Sequence, residues 1–216
     1  MNHDKEYIAE VIFGIETDTL DITGNILNKK EKKINKEDLI NVLNSFKGKS
    51  IQEVPKYSAV KVNGKKLYEY ARNNEQVELP KKEVTIKEIE LINSSNNEFT
   101  FKTLVSKGCY IRSLINDITI SLNTIGTMTS LVRTKQGKIT LEDTNTLSDI
   151  RNNNYKIYNI DQVLDIKVIE INESLEQKIR TGQKINNDFN IKDKVIFKNK
   201  NNQILGIYEN KNDILS

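Results

Sequence analysis

The chain is poor in the residues that carry much of protein chemistry, with one cysteine, one histidine, no tryptophan and two prolines. A lone Cys109 excludes an internal disulfide. With His3 as the only histidine, soft ligands are too few for a zinc centre, so neither a metal nor a cofactor is expected. As a nucleophile Cys109 would need a base, and His3 sits close to the chain start; a small spacer residue is the plainer reading. Long apolar runs are missing too. No stretch approaches the roughly 20 residues of a membrane span, and no signal-peptide pattern is present, so a cytoplasmic protein with no membrane partner is expected.

What remains suits one or two globular domains: 216 residues, 37% hydrophobic and 29% charged. The net charge of +3 permits RNA binding without demanding it. Its distribution is more telling, because residues 161–216 carry nine acidic and nine basic side chains and leave the whole excess to the first 160. There, Lys61, Lys65, Lys66 and Arg72 surround a tyrosine-rich segment, while Lys107, Arg112, Arg133, Lys135 and Lys138 follow a second. A solvated lysine face is the ordinary reading of any one of them; as sets they bind phosphates.

Ser106-Lys107-Gly108-Cys109-Tyr110-Ile111-Arg112-Ser113-Leu114 is the most informative stretch. The run Phe99 to Val105 alternates as a strand does, and Ile111, Leu114, Ile115, Ile118 and Leu122 then recur at helical spacing. Gly108 therefore falls at a strand-to-helix junction, where free backbone N–H groups and the helix dipole favour anions. Tyr110 offers a flat face to a base. In isolation, a tyrosine two residues before an arginine on an amphipathic helix is ordinarily packing plus a surface ion pair.

Other elements can be read from caps and periods. Asn35 caps a helix bearing Leu39, Val42, Leu43 and Phe46 and ending at Lys47-Gly48. A Tyr57 strand after Pro55 turns through Asn63-Gly64 into a helix over 65–72. Val84–Leu91 and Glu98–Val105 form a hairpin around Asn93 to Asn97. The polar, aperiodic 151–155 segment reads as a linker, giving domains 1–159 and 160–216. In the second, strands at 168–171, 195–197 and 204–208 flank a helix through Leu175 and Ile179 that ends at Thr181-Gly182.

Four motifs in order, namely Gly14-Ile15-Glu16-Thr17-Asp18-Thr19-Leu20-Asp21, Tyr57-Ser58-Ala59-Val60-Lys61-Val62-Asn63-Gly64, the Ser106 stretch, and Leu131-Val132-Arg133-Thr134, resemble the TruB family of bacterial tRNA pseudouridine-55 synthases. That family isomerises a uridine in the T-arm of tRNA. The resemblance implies an α+β fold, part of a mixed or antiparallel pseudouridine-synthase sheet flanked by helices, followed by a small β-rich PUA-like RNA-binding module. It implies tRNA as partner. Residue by residue, Tyr7 and Tyr110 resemble the pair that brackets the flipped uracil, and Leu131 the apolar wall of its pocket. Arg112 resembles the arginine that holds the nucleophilic Asp ionised; with Tyr7 it supports the chemistry. Asp18, Lys61 and Lys107 join the substrate-binding set.

The family's Gly-Thr-Leu-Asp-type loop, which carries the nucleophile, has no counterpart in these residues, and Asp18 and Asp21 belong to a different motif. The chain is therefore expected to lack the N-terminal segment of the enzyme. No turnover is expected from the chain alone unless a longer chain or a separate polypeptide supplies that segment. The first strand is expected to be poorly protected for want of sheet neighbours, and Arg112 to have nothing to orient. The alternative is a non-catalytic module that grips T-arm-like RNA. Two departures from the family pattern stand out. Val54 replaces a proline, expected to loosen a loop, and Cys109 stands where threonine is common.

Overall fold

The structure is a computed structural model that describes residues 3–30 and 33–216. It divides into two compact units, the first running to Asp143 and the second Thr144–Ser216. The division falls ahead of the 159/160 boundary set from sequence, because the linker-like residues are preceded by a helix that groups with the second unit.

The first unit opens with β1 (Lys5–Phe13), β2 (Ile15–Thr17), β3 (Ile26–Lys29), α1 (Lys36–Ser45) and β4 (Gly48–Glu53). A small hairpin, β5 (Lys61–Val62) and β6 (Lys65–Lys66), leads into α2 (Leu67–Arg72). Then come β7 (Lys81–Ser94), β8 (Glu98–Val105), α3 (Ile111–Ser121), β9 (Gly126–Gln136) and β10 (Ile139–Thr140), and a single 3₁₀ turn at Leu141–Asp143. Six strands make one antiparallel sheet in the order β10-β9-β1-β8-β7-β4.

β-Branched and aromatic residues alternate along β1 and β8, so Tyr7, Ala9, Val11 and Phe13 share a buried face with Phe99, Phe101, Thr103 and Val105. Phe99 stacks on Phe13 at 4.9 Å and on Phe101 at 5.7 Å between ring centroids. Onto this face α3 lays Ile111, Leu114, Ile115 and Ile118, and α1 lays Leu39 and Leu43. Each such side chain stabilises the fold by about 1.5–3 kcal/mol through burial. Asn35 caps α1 by accepting the Glu37 N–H at 2.9 Å.

Three expectations are corrected here. β1 does not lack neighbours: it pairs with β8 on one side and β9 on the other and is a central strand, so its amides are bonded in both directions. There is no strand at Tyr57. Asn63 and Gly64 both take positive φ, as a two-residue hairpin turn requires, so Lys65 and Lys66 become its second strand and the helix starts only at Leu67. The loop at Val54 is not merely looser, because the Val54 N–H donates to the Pro80 carbonyl at 2.9 Å, a bond proline could not make.

The second unit holds α4 (Leu147–Arg151), α5 (Ile160–Val163), β11 (Lys167–Glu170), α6 (Glu173–Arg180), β12 (Ile185–Asn186), β13 (Lys194–Lys198), β14 (Ile204–Lys211) and β15 (Ile214–Leu215). Its sheet runs β11-β13-β14-β15-β12, parallel only between β11 and β13. Phe197 packs edge-on to Tyr208 at 5.6 Å within a core of Ile179, Val195 and Leu215. No helix among the described residues is long and apolar enough to cross a membrane.

Candidate functional site

Two features of the sheet prepare the site. Where β1 meets β9, the register skips once between Glu6 and Tyr7 and again between Glu10 and Val11, leaving Thr134 and Thr129 of β9 without partners. These bulges bracket the segment 130–133 opposite Tyr7 to Glu10, and bulges re-aim side chains. The Thr134 hydroxyl donates to the Glu6 carboxylate at 2.6 Å and so fixes the first bulge. Tyr7 then pairs in register with Arg133, and Ala9 with Leu131. The Arg133 guanidinium lies over the Tyr7 ring at 5.6 Å, and Tyr7 is 8% exposed against 39% for Leu131.

The second feature is the head of α3. Tyr110 caps it with extended backbone and no side-chain cap. Gln52 of β4, 3% exposed, instead anchors the backbone of the cap residue itself. Its Oε1 accepts the Tyr110 N–H at 2.7 Å and its Nε2 donates to the Tyr110 carbonyl at 3.1 Å. In the sequence Gln52 goes unnoticed, because a glutamine near the end of a β-strand ahead of a Pro-x-Tyr-Ser run carries no sign of a partner 58 residues on. Ser113 adds a bond to the Glu53 carbonyl at 2.9 Å, so one edge of β4 holds the first turn of α3 at two points.

Arg112 has main-chain partners of its own. Its two terminal nitrogens donate to the main-chain carbonyls of Thr19 and Tyr57, each at 2.9 Å. The guanidinium thus ties together α3, the loop between β2 and β3, and the turn after Pro55. That loop is internally braced. Asp18 accepts from the Asn25 main chain at 2.9 Å and side chain at 3.0 Å, and Asp21 accepts from the Thr23 hydroxyl at 2.6 Å. Both carboxylates close the loop, which fits a structural task and not a nucleophile's. Leu20 sits at φ 58°, a strained conformation for a bulky residue, held by the Arg112 grip on Thr19 and by the Ile22 N–H bond to Met128 at 2.9 Å.

The structure therefore brings Tyr7, Leu131 and Arg133 together on two strands, and Tyr110, Arg112, Thr19 and Tyr57 together at the α3 head. Among the described residues no ring contact joins Tyr7 to Tyr110. Lys61 stands apart on the β5–β6 hairpin, opposite Lys66. Lys107 lies exposed in the turn before α3. Asp18 and Tyr57 also line an open cleft of about 890 Å³ with Lys56, Ala71, Glu75 and Glu78.

Among the described residues, Cys109 and Asp117 depart furthest from their ordinary ranges. Burial pushes the Cys109 thiol up to about 11, so it stays protonated and unreactive at neutral pH. Burial, reinforced by Glu53, pushes the Asp117 carboxyl up to about 6. An unfolded aspartate titrates near 3.9, so the folded chain binds a proton the unfolded chain has already released. The stabilising contribution is therefore present below about pH 4 and lost as pH rises through about 6. Asp117→Asn is expected to raise the melting temperature more at pH 7.5 than at pH 5. Thermal melts at the two pH values check this, and equal shifts would contradict it.

Comparison with known proteins places this arrangement. Its fold is similar to that of a Cbf5-Nop10-Gar1 complex, on which the chain superposes with a TM-score of 0.65 at 19% identity, covering 95% of this chain and 59% of that one. It superposes on an H/ACA RNP bound to a substrate RNA containing 2'-deoxyuridine with a TM-score of 0.66 at 17% identity, covering 95% and 58%. The chain thus spans under two thirds of those structures. The TruB family pseudouridylate synthase (N terminal domain) model matches residues 1–111. The tRNA pseudouridine synthase B of Caldanaerobacter subterraneus subsp. tengcongensis is 39% identical over 91% of this chain and 70% of its own length. That of Staphylococcus aureus strain MSSA476 is 41% identical over 96% and 75%. The chain belongs to the TruB family of pseudouridylate synthases.

Proposed function

We propose that this chain acts in the formation of pseudouridine in tRNA, with a uridine of the T-arm as target, and that Tyr7, Tyr110, Arg112 and Leu131 shape the pocket for that base. The observation that carries this reading is the α3 head, where one guanidinium fastens two loops beside Tyr110. A stacked uridine cannot be rearranged, so it must leave the stack for a site that offers aromatic faces and edge hydrogen bonds. Tyr110, held at both its N–H and its carbonyl by Gln52, presents its ring from a fixed backbone. Likeness to enzymes named tRNA pseudouridine synthase B over most of the chain supports tRNA as substrate.

These 216 residues contain no Gly-Thr-Leu-Asp loop, and the local bonding of Asp18 and Asp21 leaves neither free to attack a base. On this reading the chain by itself binds T-arm RNA without turning it over, and turnover needs a carboxylate supplied in trans or by a longer chain. The second unit, with its small mixed sheet, is the PUA-like element that extends the RNA contact. Incubating the chain with unmodified tRNA transcript and assaying pseudouridine tests this. Salt-sensitive binding without product is expected. Turnover at the rate of an intact family enzyme would overturn the inactive state, and equal affinity for a hairpin of unrelated sequence and loop would overturn the T-arm assignment.

A further inference from the structure

One end of the sheet gathers positive charge. Lys5 begins β1 between Val105 of β8 and Gln136 of β9, and its ammonium donates to the His3 carbonyl at 3.1 Å. Two residues past Val105, Lys107 stands exposed in the turn. Arg133 lies over Tyr7 and donates to Gln136 at 2.9 Å. Lys82 of β7 lays the end of its side chain across Gly108, beside Lys107. Among the described residues none of these four enters an ion pair, although Lys49, Lys65, Lys87 and Lys102 of the same unit do.

The proximity has a measurable sign. Burial depresses the Lys5 pKa, and the positive charges of Arg133 and Lys107 depress it further. Asp4 acts the other way but is committed to Lys87 at 2.6 Å. Cations gathered without a counter-charge repel one another, and an anion placed among them removes that repulsion. The open cleft beside Tyr57 offers no such place, because Asp18, Glu75 and Glu78 line it.

We propose that Lys5, Lys107 and Arg133 form a subsite for a single phosphate of the RNA backbone, the one adjoining the nucleotide whose base reaches Tyr7. The proposal rests on RNA being the ligand. Arg133 is suited to hold two phosphate oxygens with its fork while its flat face stays on the Tyr7 ring, and the two ammonium groups act as point charges on the remaining oxygens. Tyr7 and the backbone are then registered to each other by one residue, so the subsite sets where along the strand the everted base falls.

The test has two arms on the full chain. In the first, tripolyphosphate is titrated while side-chain NMR signals are followed. Shifts at Lys5, Lys107 and Arg133 are expected, and their absence overturns the subsite. In the second, T-arm hairpins carry a neutral methylphosphonate at either linkage flanking the target uridine. One of the two is expected to bind about tenfold more weakly to the unaltered chain, the loss of one charge-assisted contact, while Lys107→Gln combined with Arg133→Gln binds it and the natural hairpin alike. An equal methylphosphonate penalty in both proteins overturns the assignment. Both altered residues are exposed, and an unchanged amide spectrum verifies folding. Tripolyphosphate shifts without T-arm binding would uphold an anion site while overturning its assignment to RNA and the function proposed above.

Discussion

Arg112→Ala is expected to lower the stability of the first unit by about 3 kcal/mol and to weaken T-arm binding at least tenfold. A hydrogen bond from a charged donor contributes about 1.5–3 kcal/mol, and Arg112 makes two, each at 2.9 Å, to carbonyls of separate loops. Both loops lie near the surface, so water recovers part of the loss and the lower end of the range applies. The loop from Thr17 to Asn25 keeps its internal bonds and moves as a piece, leaving Leu20 with one restraint fewer on its strained backbone. Arg112→Lys separates charge from geometry, since an ammonium cannot span two carbonyls as a planar fork does. Hydrogen exchange at residues 17–25 and 55–58 should rise in both variants. Wild-type protection in Arg112→Lys would show that the charge alone, and not the bridge, is what matters.

Gln52→Leu should cost about 2–4 kcal/mol, a large effect for a substitution that preserves volume. Gln52 is almost fully buried, and among the described residues the Tyr110 N–H it accepts has no other partner; an orphaned buried donor costs about 1–3 kcal/mol, with the second lost bond added. The Tyr110 carbonyl fares better, since it also accepts from the Leu114 N–H at 3.0 Å. The first turn of α3 should fray and release the Tyr110 ring, so RNA affinity falls together with stability. Gln52→Glu discriminates: a carboxylate can still accept the N–H but turns its other oxygen on the Tyr110 carbonyl, so it should rescue little. Denaturant melts and exchange rates at residues 110–114 provide the readout. Full retention of stability in Gln52→Leu would mean that packing and the Ser113 and Arg112 bonds suffice to hold the α3 head.

Much of this architecture is legible from residues that act locally. The Asn35 cap, the alternation of Phe99 to Val105 and the helical spacing of Ile111 to Leu122 each depend on neighbours in sequence, and each element stands where that pattern puts it. The second unit is similar: β11, α6, β13 and β14 overlap the segments expected. What escapes is whatever depends on distant partners. β4 and β9 are polar or threonine-rich and gain strand form from pairing with β7 and β1, not from their own pattern. Asn63-Gly64 reads as a turn but does not say whether a helix or a strand follows. The roles of Gln52 and of the main-chain acceptors at Thr19 and Tyr57 are invisible for a plainer reason: a carbonyl is present at every position, so nothing in a side chain announces it.

That last point bears on how this protein tolerates change. Because the Arg112 fork closes on peptide oxygens, the identities of Thr19 and Tyr57 are irrelevant to the latch; only the course of the chain matters. Substitution of either side chain leaves this latch in place, although the Thr19 hydroxyl also donates to the Asp21 carbonyl at 3.2 Å within the loop. The restriction falls instead on a single guanidinium, whose replacement no second substitution among its acceptors can repair.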